Sequence, residues 1–213
     1  MTRSYLLFVS NILLAACTPI LCRYLSVHAG HSRAVFSTIS GNYLLTPERW
    51  VFAGLISLFV CIHLITFGPI SSRVLSTTSE HIRNNAVMLE LTMLGLFVLI
   101  AWIPAHLILG MHALLGGLLF SGSLLWMSTI EQGTPHGSFL HTLRNSLLIA
   151  CTACLFGMLL YFPGDLISDL VRARGDLPRS LYLLGLDARW SNFAIFEWAF
   201  YYGVLAFMLT CAP

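Results

Sequence analysis

Six apolar runs separated by polar connections organise the chain, at 5–22, 50–67, 86–103, 106–127, 146–163 and 192–211. Crossing ~30 Å of hydrocarbon at ~1.5 Å per residue takes about 20 mostly apolar residues, so each run is long enough to span a membrane as a helix. The slightly short runs are within what a helix in protein contact tolerates. The pattern predicts an all-α, polytopic membrane bundle of six transmembrane helices, one membrane domain over residues 1–213.

Local signals sharpen the boundaries. Ile103-Pro104-Ala105 separates the third and fourth runs, and the proline disfavours helix at Ile103, which predicts a tight antiparallel hairpin. Thr46-Pro47-Glu48-Arg49 supplies a capping hydroxyl, a first-turn proline and an acid at the positive end of the second helix. Trp50, Trp102, Trp126 and Trp190 fall at run ends, where an indole keeps its ring apolar and its N–H wet. The first run lacks a small-x-small cleavage site and continues into Thr18-Pro19 and Leu21-Cys22-Arg23, so it reads as a retained span rather than a secretory signal.

Two long connections, 23–49 and 164–191, share one face. The second holds Asp165, Asp169, Asp176 and Asp187 against Arg172, Arg174, Arg179 and Arg189, with Leu166, Ile167, Leu170 and Val171 at helical spacing. That pattern predicts a short amphipathic helix on the membrane surface. In the fourth run Ala113, Gly117 and Ser121 form a small-residue stripe that admits a close helix, either within this chain or from another membrane protein.

Composition agrees. Of 213 residues 57% are hydrophobic and 9% charged, with a mean hydropathy of +0.82, whereas soluble domains carry about 25% charged residues. The net charge of +2 comes from 11 arginines and no lysine against 9 acids, with no basic patch of the kind a nucleic-acid partner needs. Arg3, Arg73, Arg83 and Arg144 fall on the side of the termini and the other seven arginines on the opposite side. That count favours external termini. All six cysteines lie in or beside apolar runs, where they read as small buried hydrophobes.

A carboxylate near a helix centre in the bilayer costs about 2.5–3.5 kcal/mol, so ionisable residues in the runs carry most of the functional information. They are His63, Glu90, His106, His112 and Glu197. Depth pairs His63 with Glu90 near the side of the termini, and His112 with Glu197 near the side of the long connections. Each pair is a candidate intramembrane polar site, serving a lipid or proton or simply holding helix register. Cys151-x-x-Cys154 lies in hydrocarbon, where a redox thiolate is disfavoured. His106 and His112 point about 120° apart on a helix, which does not suit a shared haem. No nucleotide loop, hydrolase elbow or zinc motif occurs. No catalytic residue is assigned, and neither a cofactor nor a metal is expected.

Phe36-Ser37-Thr38-Ile39-Ser40-Gly41, then Thr46-Pro47-Glu48, then Asn85 and Glu90, then His112 with Gly116 and Gly117, and last Phe196-Glu197-Trp198 stand in a suggestive order. The chain thereby resembles the FRAG/DRAM/SFK family of six-span membrane proteins, which includes damage-regulated autophagy modulators and remodellers of glycosylphosphatidylinositol (GPI) anchors. The resemblance implies cytoplasmic termini, against the arginine count, and residence in Golgi, lysosomal or plasma membranes. It carries over His112 and Glu197 as motif positions without a catalytic role. The expectation is a lipid-handling protein that admits membrane lipid between helices lined by His112 and Glu197. The alternative is a non-enzymatic regulator of autophagy type, or an accessory subunit packed through Gly117.

Overall fold

A computed structural model describes residues 3–31, 37–43, 45–74, 79–103, 109–162 and 188–211. Six long helices form: α1 Arg3–His28, α2 Glu48–Val74, α3 Glu80–Trp102, α4 Leu109–Gln132, α5 Phe139–Leu160 and α6 Ala188–Thr210. All six are long and apolar enough to cross a membrane. A helix satisfies its own backbone, the condition hydrocarbon imposes on any spanning segment. Hydroxyls inside the spans do likewise: Thr18, Ser57, Thr92, Ser123 and Thr152 each donate to the carbonyl four residues back, at 2.7–2.8 Å.

Each helix packs on its chain neighbour, and α6 also contacts α1 and α4, which closes the bundle. The α3–α4 pair runs antiparallel, with Ile100 beside Gly116, Met93 beside Gly122, and Trp126 bonded to Glu90. Pro104 and His106 lie outside the described residues, as does the amphipathic segment expected within 164–191 apart from its last residues in α6. Tyr201 and Tyr202 of α6 donate to the carbonyls of Ala15 and Ala16 in α1, at 2.8 and 2.9 Å.

Most helices outrun their apolar windows. Ser79 caps α3 by accepting from the Ile82 N–H, and Ser138 caps α5 by accepting from the His141 N–H. The first turn of α3 is polar at Glu80, His81 and Arg83, and in α5 His141, Thr142, Arg144 and Asn145 interrupt the apolar run, so hydrophobicity alone starts these helices late. At α2 the helix begins at Glu48, but the buried Glu48 carboxylate turns to His31 Nδ1 at 2.8 Å. Trp50 and Trp102 are exposed as span-end indoles should be and pack edge to face. Trp126 does not follow that expectation. α4 continues to Gln132, so this indole is buried inside the bundle.

The small-residue stripe also differs from an intramolecular seam. Ala113, Gly117 and Ser121 are exposed, and a Cβ on Gly117 would meet nothing within 4 Å. Gly116 and Gly122, on another face of α4, pack against α3 instead. Tight approaches lie between α5 and α6: a Cβ on Gly157 would stand 2.6 Å from the Phe196 ring, and one on Gly203 2.5 Å from Cys151 Sγ. Gly157→Ala is therefore expected to lose about 1–3 kcal/mol through overpacking, whereas Gly117→Ala stays within about 0.5 kcal/mol of the parent. Unfolding of both variants in mild detergent checks the contrast.

Candidate functional site

Two buried polar centres lie at different depths. In the deeper one, His63 Nε2 sits 2.5 Å from Glu90 Oε1, and Trp126 Nε1 donates to Glu90 Oε2 at 3.1 Å. All three side chains are buried. Phe8 and Phe59 flank the imidazole. One carboxylate thus ties α2, α3 and α4 together, because in hydrocarbon it accepts from whatever donors face it.

The second centre forms where the connection after α1 folds back over the bundle. Residues 37–43 end in a short 3-10 helix, Ser40–Tyr43, and Thr38, Asn42 and Tyr43 are buried. Gly41 is needed because a Cβ there would fall 2.8 Å from Thr38 Oγ1, which accepts from the Gly41 N–H. Tyr43 stacks on Phe52 at 3.8 Å. Arg23 donates to Ser37 Oγ and Asn42 Oδ1, and Trp198 Nε1 to the Ser37 carbonyl.

Glu197 and His112 reach this segment from opposite sides. Glu197 Oε2 accepts from the Ile39 N–H at 2.8 Å, and its carboxyl also faces the Ser40 N–H and hydroxyl. An acid here meets the positive end of the short helix. His112 Nε2 lies 2.9 Å from Ser40 Oγ, while Nδ1 lies 3.0 Å from the Ile103 carbonyl. Glu197 and His112 do not bond each other; Ser40 joins them. The space between the two side chains is filled by a connection whose path helix spacing does not reveal.

Between these centres is an apolar cavity of about 70 Å³ among α2, α3, α4 and α6. Phe97, Leu119, Phe120, Phe200 and Met208 form much of its wall, and Glu90 is its acidic member. His112 and Glu197 do not line it, contrary to the expectation of a lipid held between them. Both are turned toward residues 37–43. Phe97 and Tyr201 line the cavity and also pack on the core that contains Ile39 and Tyr43.

Spacing left several polar residues unassigned. Arg144 is buried and bridges helix ends, donating to Thr134 Oγ1, Thr210 Oγ1 and the Thr210 carbonyl at 2.7, 3.0 and 2.9 Å. Glu131 contacts His141. These lie in the turns beyond the apolar windows, so the sign that they matter is the polar helix extension. No protein-family profile, curated protein or solved structure matches the chain.

Glu90→Ala strands the Trp126 N–H and the His63 ring, and should lower stability by about 1–2 kcal/mol, because side chains unfolded within a membrane also find partners. Glu90→Gln keeps an acceptor and should lose less than half of that. Detergent unfolding would expose a purely packing role if the two variants were equal.

Proposed function

We propose that this six-span membrane protein handles lipid, with an acyl chain in the cavity between α2, α3, α4 and α6, and that it acts among the GPI-anchor remodelling proteins it resembles, in an endomembrane or the plasma membrane. The observation that carries this reading is an apolar space within the spans. A water-sized group occupies about 10–15 Å³ of such volume, so the cavity admits several methylenes, and apolar cavities do not hold water well. Glu90 on its wall is already engaged by His63 and Trp126, which leaves the space suited to a hydrocarbon tail.

Native mass spectrometry of the full chain in mild detergent should show a retained acyl lipid. Leu119→Trp and Val204→Trp fill the space and should lower occupancy at least tenfold, about 1.4 kcal/mol. No lipid on the folded parent chain would sink the binding reading. Loss of the protein from cells should change the acyl chains on GPI-anchored surface proteins; unchanged anchor lipids would remove the remodelling part alone.

A further inference from the structure

We infer that Ser40 and His112 form a nucleophile and general-base pair that takes an acyl group from an ester lipid and passes it to an alcohol or water. The inference rests on the lipid-handling reading and assigns its chemistry to the segment 37–43.

The tautomer follows from the two contacts of the imidazole. A carbonyl oxygen only accepts, so Nδ1, 3.0 Å from the Ile103 carbonyl, carries hydrogen. In the neutral ring Nε2 is then the acceptor, and the Ser40 hydroxyl stands 2.9 Å from it, placed to give its single proton to Nε2 or to the Glu197 carboxyl it also faces. That is the geometry of an activated hydroxyl: nucleophile and base within hydrogen-bond reach, and the base oriented by a third group. Ser40 is half-buried rather than sealed. It lies where the end of α3 and the start of α4 meet the polar connection.

The remaining neighbours supply position and a donor. Glu197 accepts from the Ile39 N–H and its carboxyl faces the Ser40 N–H and hydroxyl, so it holds both the turn and the hydroxyl that meets His112; it is a positioning residue. Tyr43 lies beside the Ser40 hydroxyl, and burial raises its phenol above the ordinary range, so it stays protonated and able to donate.

The step balances. Ser40 Oγ adds to the ester carbonyl carbon while its proton passes to His112 Nε2, and the carbonyl oxygen becomes an oxyanion within reach of a donor such as Tyr43. Collapse breaks the bond to the lipid alcohol, which leaves with the proton from His112. An acyl-Ser40 ester remains. A second alcohol or water, deprotonated by His112, then attacks that ester and restores Ser40 as the acylated alcohol or free acid departs.

The test uses the full chain in phosphatidylcholine vesicles and a long-chain alkyl fluorophosphonate, which bonds an activated serine with loss of fluoride. Mass spectrometry of the parent protein should place one adduct on the Ser40 peptide. Ser40→Ala and His112→Gln should each label at least ~100-fold more slowly, the scale of a lost general base. Glu197→Gln, whose amide oxygen still accepts from Ile39, should label within a few-fold of the parent, while Glu197→Ala should not. Acid quenching of vesicles carrying isotope-labelled acyl chains should also trap acyl-Ser40, a measurement on the parent chain that needs no variant to fold. A folded parent chain with no adduct and no acyl ester on Ser40 overturns the inference, as does labelling unchanged in Ser40→Ala. If lipid is retained in the cavity in that case, the lipid-handling reading stands without this chemistry; if lipid is absent too, both fall.

Discussion

Hydrocarbon offers no hydrogen bonds, and a polar group taken into it must find its partner inside the protein. The backbone meets this requirement by coiling, and the span hydroxyls meet it on their own helix. Several side chains whose demand is not met locally meet it across helices, and those cross-links tie the bundle together. Glu90 gathers His63 and Trp126; Arg144 gathers the ends of α4 and α6; Tyr201 and Tyr202 bind α6 to α1. A lipid tail can replace an apolar side chain on a helix surface but cannot replace these partners, so they set register where apolar packing would permit sliding.

The same constraint explains why the connection at 37–43 is built into the fold. Buried His112 and Glu197 near one end of α4 and α6 need partners, and the turn supplies a hydroxyl and a backbone N–H. In return, the turn gains a lining for its own polar atoms, including Arg23 and Trp198. A polar cap therefore covers this end of the bundle, with the apolar cavity beneath it and the Glu90 centre beneath that. Phe97 and Tyr201 stand between cap and cavity, in contact with both.

The outward face of α4 follows a different logic. Among the described residues a Cβ on Gly117 would meet nothing within 4 Å, while Gly116, one residue before it, is buried against α3. Helical rotation of 100° per residue is enough to separate a packed glycine from an open one. The repeat of small residues identifies a helix that can be approached closely but not the face that is.

Apolar runs determined the number of spans, because length and hydrophobicity alone decide whether a helix fits the bilayer. Depth along the spans is equally legible for His63 and Glu90, whose similar distance from their helix ends agrees with their 2.5 Å contact. Helix ends are less so: the capping serines Ser79 and Ser138 and the polar residues that follow them in the first two turns lie outside the apolar signal. Only the tertiary structure decided that Trp126 turns inward to Glu90, that the cavity lies below His112 and Glu197, and that Ser40 joins those two. Each depends on the rotation of one helix against another and on the return path of a connection, and periodicity along a chain encodes neither. A hydroxyl 72 residues away from the imidazole it meets is brought there by packing.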